Sequence, residues 1–288
     1  MTKIGFIGLG NMGVGMAINL SKNNLEILGF DINKDRFKYL KNENIKQMDN
    51  LKALIELSDI IITMLPDGKI VKNVWSEIMK YSRNKQYIID CSTIDVKTSI
   101  QIQQEAQKKD LFTLDAPVSG GVMGANQGTL TFMIGGSDET YNEMKFIFEI
   151  MGKNSILCGK IGAGQSAKIC NNMLLATTMI AVGESFELGQ RLDLDPNKLF
   201  DVLSTSSGSC WAINTYCPIQ NVGPTSPSDN GYKGGFSSSL MFKDLGLALE
   251  AVKQTNSKAS YGIQTYKKFK SIVDNGKGDL DFSNVINE

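Results

Sequence analysis

Short, nearly continuous apolar runs alternate through the first half of the chain with longer segments whose apolar positions recur every three to four residues. The runs are Ile4–Ile7, Leu25–Phe30, Ile60–Leu65, Tyr87–Asp90, Leu111–Ala116, Thr129–Ile134 and Ile156–Cys158. Strands of a parallel sheet covered on both faces need such continuous hydrophobicity. Between them the pattern predicts a helix through Met16, Ala17 and Leu20, others around Lys34–Asn42 and Leu51–Leu57, one after Pro66, one capped by Asp95, and one over Asp138–Met151. This rhythm predicts an α/β Rossmann-type domain with a doubly wound, mostly parallel sheet.

The rhythm stops where Gly162-Ala163-Gly164 opens a helix predicted to run to about Arg191. That helix is apolar around much of its circumference (Met173, Leu174, Leu175, Met179, Ile180, Val182), so burial between domains or subunits is expected. Further helices are predicted from Asp195-Pro196 through Leu203, over Ser239–Lys253 and over Tyr261–Asn275, with no strand among them. The segment Ser206–Phe236, punctuated by proline and glycine, reads as a long irregular loop, and loops of that length are uncommon unless functional. The expected division is a Rossmann domain over residues 1–162 and an all-α C-terminal domain over 163–288, begun by a long interdomain helix and serving substrate binding and oligomerisation.

Composition narrows the partners. Lys+Arg 30 against Asp+Glu 30 leaves no net charge, and hence no electrostatic footprint for nucleic acid or an anionic membrane. No apolar run reaches the roughly 18 residues of a membrane span. The five cysteines form no C-x-x-C pair and are odd in number, which argues against a disulfide framework and a zinc site, so no metal is expected. With the first strand starting almost at Met1, the chain reads as cytoplasmic, or as a mitochondrial matrix protein only if a presequence has been removed. A small molecule is the expected partner.

Gly8-Leu9-Gly10-Asn11-Met12-Gly13 stands between the first strand and the first helix. In that setting Gly8 permits a tight turn, Gly10 lets the backbone approach a pyrophosphate, and Gly13 lets helix and strand pack closely. Asp31, eighteen residues beyond Gly13 at the end of the second strand, is placed to bind both ribose hydroxyls. It would repel a 2′-phosphate, so NAD is favoured over NADP, with Lys34 and Arg36 nearby moderating that preference. Leu65, Pro66 and Thr93 end later strands at the carboxyl edge, where open α/β sheets bind ligands.

Two further groups carry candidate chemistry. Ser119, Gly120 and Gly121 form a turn of small residues whose N–H groups and hydroxyl can make a concave nest for a carboxylate. On the long helix Gly164, Lys168 and Asn172 fall on one face. The chain contains no histidine, so Lys168 is the candidate for moving a proton. A free lysine has a pKa of about 10.4, and burial or a nearby cation can bring a catalytic one down to about 7–8.

Taken together these segments resemble the β-hydroxyacid dehydrogenases over nearly the whole chain. Phe6 to Gly13 with Met16-Ala17 and Asn19-Leu20 matches the family's N-terminal signature, Asp115 to Gly121 its substrate-binding segment, and Gly164 to Asn172 its catalytic helix. Met241 with Lys243 to Ala248 matches a later segment that reaches back to the active site. The resemblance implies an NAD-dependent oxidoreductase acting on a small hydroxy acid, with Lys168 and Asn172 catalytic, Ser119, Gly120 and Gly121 holding the carboxylate, and Lys243 touching substrate or cofactor. The apolar character of the long central helix points to a homo-oligomer, dimer or tetramer.

Cys210 to Pro218 and Tyr232 to Phe236 look like the branch of the family that oxidises 3-hydroxyisobutyrate in valine degradation. Sister enzymes acting on tartronate or succinate semialdehyde are similar elsewhere, as is a non-catalytic nucleotide-binding module built on the same fold. The larger 6-phosphogluconate dehydrogenases share the lysine and asparagine, but a phosphosugar calls for a bidentate clamp, and none of the three arginines, Arg36, Arg83 and Arg191, lies in a matching motif.

Overall fold

Leaving residue 1 and residues 41–43 aside, the computed structural model describes residues 2–40 and 44–288, which divide into two compact units, Met1–Lys168 and Ile169–Glu288. This division falls inside the long helix, after Lys168.

The first unit runs β1 (Lys3–Ile7), α1 (Asn11–Ser21), β2 (Glu26–Phe30), β3 (Ile45–Gln47), α2 (Leu51–Leu57), β4 (Ile60–Thr63), α3 (Gly68–Tyr81), β5 (Tyr87–Asp90), α4 (Val96–Gln107), β6 (Phe112–Asp115), β7 (Val118–Ser119), α5 (Gly121–Gln127), β8 (Leu130–Gly135), α6 (Asp138–Met151) and β9 (Gly152–Gly159). The sheet order is β3-β2-β1-β4-β5-β6-β8-β7, with β9 also paired to β8. Strands β1 to β6 are mutually parallel, and β8 joins β6 and β7 antiparallel. The direction of winding reverses between β1 and β4, and open α/β sheets take their ligands at such a switch point.

Alternation of side chains along each strand builds two separate cores. Ile4, Phe6, Ile60, Ile62 and Ile89 point to one face, where Met16 and Leu20 of α1 and Ile147 and Phe148 of α6 cover them. Ile7, Ile61 and Ile88 point to the other, under Leu54 of α2, Trp75 of α3 and Ile102 of α4. Side-chain caps start the covering helices where the sequence places them: Asn50, Asp67, Asp95 and Ser137 each accept a backbone N–H from the first turn that follows.

The second unit follows the first turns of α7 (Ala163–Arg191) and continues with α8 (Pro196–Thr205), α9 (Trp211–Asn214), α10 (Ser238–Thr255) and α11 (Ser260–Asp274). Its core gathers Met179, Val182 and Phe186 of α7 with Leu245 of α10, Phe269 of α11 and Phe282. The segment expected as one loop, Ser206–Phe236, holds α9 and a 3-10 turn at Pro227–Asn230, and it is pinned by Asp281. That buried carboxylate accepts from Tyr216 Oη at 2.8 Å, Phe236 N at 2.8 Å and Ser283 N at 2.9 Å.

Several elements differ from expectation. The predicted helix around Lys34–Asn42 is a 3-10 helix over Lys34–Leu40, and its remaining residues lie outside the described ones. The third apolar run ends as a strand at Thr63, because Leu65 N turns out of the ladder to the Ser92 hydroxyl at 2.9 Å. β3, β7 and α5 were not expected: β3 is three residues at a polar edge, β7 is two, and α5 is a glycine-bearing helix held by packing on α1. A Cβ on Gly15 of α1 would lie 2.8 Å from the Ala125 carbonyl carbon of α5, so the two helices touch backbone to backbone.

Asp90 is fully buried where β5 ends. Its Oδ1 accepts from Thr63 Oγ1 at 2.8 Å and Ser92 N at 3.1 Å, while its Oδ2 has no hydrogen-bond partner among the described residues. Burial, opposed by the donors from Ser92 and Thr63, pushes this carboxyl up to about 6. The folded chain therefore holds the Asp90 proton more tightly than the unfolded one, and stability falls as pH rises from about 4 to about 6, by about 3 kcal/mol in all. Asp90→Asn should remove this component. Urea unfolding of both proteins across that range should show the wild type losing ground to the variant as pH rises; a constant difference would contradict the assignment.

Candidate active site

The first-unit residues expected to meet the coenzyme follow the carboxyl ends of the parallel strands. Between β1 and α1 the chain turns on Gly8, whose φ of +97° and 2.2 Å clearance from Met64 O exclude a side chain, and a Cβ on Gly13 would sit 2.0 Å from Gly8 O. A Cβ on Gly10, by contrast, would meet nothing within 4 Å. Gly10 is also the N-cap of α1 and offers no side-chain cap, so the helix presents its first N–H groups and positive end toward open space. Those observations fit the pyrophosphate of a dinucleotide.

Asp31 stands at the end of β2. Its Oδ2 accepts from Leu9 N and its Oδ1 from Asn33 N, both at 2.7 Å, so the carboxylate is locked to the glycine turn. Leu9 is buried, Met12 half-buried, and Asn11 exposed with its Oδ1 accepting from Arg36 Nη1 at 3.2 Å. Leu65 and Pro66 follow β4, where Leu65 N donates to Ser92 Oγ. Thr93 is half-buried between Ser92 and Ile94, both of which bond the side chain of Gln165: Nε2 donates to Ser92 O at 2.7 Å, and Oε1 accepts from Ile94 N at 3.1 Å.

Lys168 is buried, and its Nζ donates to Val118 O at 2.8 Å. The next residues are the predicted nest: Ser119 is half-buried, Gly120 and Gly121 are exposed with φ of +131° and +61°, and a Cβ on Gly121 would meet nothing within 4 Å. This exposed glycine turn is the one expected to take the substrate carboxylate. The structure thus brings a buried amine and the Ser119–Gly121 turn together through one carbonyl.

One helical turn beyond Lys168, the buried Asn172 donates from Nδ2 to Asp244 Oδ2 at 2.6 Å and accepts on Oδ1 from Asn171 Nδ2 at 3.0 Å. Lys243 Nζ lies 3.3 Å from Asp244 Oδ1. Asp244 therefore links Asn172 and Lys243, a role that sequence reading missed because a Lys-Asp pair on a helix usually reads as surface. Asp115 and Gln165, which anchor the start of α7, were missed as well; Asp115 was quoted only as part of a motif. Cys170, between Lys168 and Asn172 in the chain, is exposed. Tyr216 and Phe236 anchor their loop against Phe282, while Trp211, stacked on Tyr216 at 4.9 Å, stays about half exposed. No group of metal-ligating side chains occurs among the described residues.

A doubly wound sheet with an uncapped glycine turn, an acid after β2 and a buried amine beside the Ser119–Gly121 turn fits a dinucleotide-dependent oxidoreductase. Comparison with known proteins bears on which one. Residues 3–159 match the family model described as the NAD binding domain of 6-phosphogluconate dehydrogenase, and residues 162–288 match that described as NAD-binding of NADP-dependent 3-hydroxyisobutyrate dehydrogenase. A probable mitochondrial 3-hydroxyisobutyrate dehydrogenase of Dictyostelium discoideum is 43% identical, covering 98% of this chain and 89% of that one. A mitochondrial 3-hydroxyisobutyrate dehydrogenase of Drosophila melanogaster is likewise 43% identical, over 98% and 87%. The solved structure of Mycobacterium tuberculosis 3-hydroxyisobutyrate dehydrogenase with L-serine superposes with a TM-score of 0.95 at 40% identity, covering 100% of this chain and 98% of the other. The chain belongs to the β-hydroxyacid dehydrogenases, NAD-dependent oxidoreductases of small hydroxy acids, and within them to the 3-hydroxyisobutyrate dehydrogenase family.

Asp31 gives this site its first test. Hydrogen bonds to a charged group contribute about 1.5–3 kcal/mol, so Asp31→Ala should weaken NADH binding by roughly 10–100-fold. The variant should also lose most of its preference for NAD over NADP. Fluorescence titration with both reduced coenzymes checks this; an unchanged preference would remove Asp31 from the ribose site.

Proposed function

We propose that the protein oxidises 3-hydroxyisobutyrate reversibly to methylmalonate semialdehyde, the reaction required in valine degradation. The observation that carries this reading is the Lys168 amine, buried and bonded to the carbonyl that leads into the Ser119–Gly121 turn. In this reading the Rossmann part, residues 1–162, holds the coenzyme, and residues 163–288 complete the substrate site and the assembly.

The coenzyme is assigned to Gly8, Leu9, Gly10, Asn11, Met12 and Gly13 for the pyrophosphate and to Asp31 for the ribose, with Leu65, Pro66, Thr93 and Lys243 as further contacts. When bound, NAD supplies the hydride acceptor. Ser119, Gly120 and Gly121 hold the substrate carboxylate with their hydroxyl and N–H groups. Asn172, fixed by Asp244, orients the substrate hydroxyl toward Lys168. Neutral Lys168 takes the hydroxyl proton onto Nζ during oxidation; in the reverse direction the ammonium returns it to the aldehyde oxygen. Lys243, paired with Asp244, adds positive charge for the carboxylate or the coenzyme.

Exposed Leu174 and Leu188 of α7, with Leu192 just beyond its end, support a homo-oligomer, since exposed apolar side chains grouped in this way are ordinarily covered by a partner. All five cysteines are free, which supports a reducing compartment, the cytoplasm or the mitochondrial matrix. No helix among the described residues is long and apolar enough to cross a membrane.

Absorbance of the reduced coenzyme, followed with (S)-3-hydroxyisobutyrate, glycerate, L-serine and 4-hydroxybutyrate, each with NAD and NADP, tests the reading. Hydroxyisobutyrate with NAD should give the highest kcat/KM; preference for another acid would keep the family and replace the substrate. Lys168→Ala should lower turnover by at least the roughly 10²–10⁴-fold typical of a general acid–base. Near-normal turnover in that variant would remove the lysine from the chemistry.

A further inference from the structure

The fully buried carboxylate of Asp115, at the end of β6, receives three N–H donors. Gly162 N at 2.7 Å and Gln103 Nε2 at 2.9 Å point at Oδ1, and Gln165 N at 2.9 Å points at Oδ2. Two of these are backbone donors at the start of α7, among those that a helix leaves without intrahelical acceptors. An anion at that end is favoured by the helix dipole and makes charge-assisted hydrogen bonds. The surroundings are cut to admit it: a Cβ on Gly135 would lie 2.4 Å from Oδ1, and one on Gly164 would lie 2.8 Å from Oδ2 and 2.3 Å from Met133 O. The Gln165 side chain, tied to Ser92 and Ile94, holds the same helical turn from a second direction.

Three residues after Asp115, Val118 O accepts from Lys168 Nζ, and the Ser119–Gly121 turn follows at once. One short stretch, 115–121, thus seats the beginning of α7 on Asp115, meets the amine of that helix at Val118, and ends in the anion nest. We infer that Asp115 is a positioning residue for proton transfer: by capping α7 it sets the rotation and height of the helix so that Lys168 Nζ stands beside the nest. Its burial and its three donors keep it from touching substrate. The inference rests on reading Lys168 as the acid–base group.

Asp115→Asn preserves the shape but turns one acceptor into a donor aimed at an N–H. The test is a double-mutant cycle of Asp115→Asn and Lys168→Ala, reading kcat and KM for hydroxyisobutyrate, with NADH affinity and urea unfolding measured on each protein. Asp115→Asn should lower kcat by roughly tenfold or more, leave NADH affinity within about twofold, and add no further loss to Lys168→Ala, because residues acting as one unit are non-additive. Full additivity, or an unchanged kcat in Asp115→Asn, would overturn the inference. Normal turnover in Lys168→Ala alone would defeat the lysine reading, and the inference with it. Should Asp115→Asn not fold, Gln103→Leu, which removes only the donor from α4, carries the same cycle with an expected loss of about threefold that vanishes beside Lys168→Ala.

Discussion

The hydrogen bond from Lys168 Nζ to Val118 O sets the terms for the site. An amine removed from water is costly unless it is bonded, and Val118 O supplies one such bond. Because that carbonyl belongs to the residue before Ser119, the bond ties the Lys168 amine to the start of the Ser119–Gly121 turn, the pair that the proposed function reads as proton carrier and anion site. Substrates are short, so a site for them requires both groups within one small span. The segment after β6 supplies that span in seven residues, 115–121, and the packing of α5 on α1 holds its far end.

The coenzyme side follows from the parallel sheet. Parallel strands covered on both faces leave their carboxyl ends as the accessible edge, and the reversal between β1 and β4 opens a crevice there. The turn that enters α1 fills the crevice with backbone in place of side chains, and Asp31 is locked to that same turn through Leu9 N. The glycine turn and Asp31, to which the proposed function assigns the pyrophosphate and the ribose, are therefore one linked feature. Asp90, buried one strand over with an orphaned oxygen, shows the cost that this crowded edge imposes on stability.

Much of this was legible in the chain itself. Continuous apolar runs and capping residues placed the long strands and most helices, because burial on both faces and the first-turn N–H groups leave signatures in local sequence. Short elements held by tertiary contact escaped: β3 is polar, β7 is two residues long, and α5 contains glycines that ordinarily argue against a helix. The same distinction runs through the site. Gly8, Gly10, Gly13, Asp31, Ser119, Lys168 and Asn172 carry type and spacing that chemistry can interpret. Asp115, Gln165 and Asp244 act through partners distant in sequence, and nothing local tells a buried anchoring carboxylate from a solvated one. The stretches that hold Tyr216 and Phe236 were legible as family segments, but that Asp281 and Phe282 from the end of the chain pin these two residues was not.

The most direct measurement is the pH dependence of kcat/KM for hydroxyisobutyrate oxidation in the wild type and in Lys168→Ala. A lysine base must lose its proton before it can accept another, so the wild-type profile should fall about tenfold per pH unit on its acidic limb, and the variant should be slow and flat over the same range. The same acidic limb in both proteins would place the base elsewhere and contradict the account.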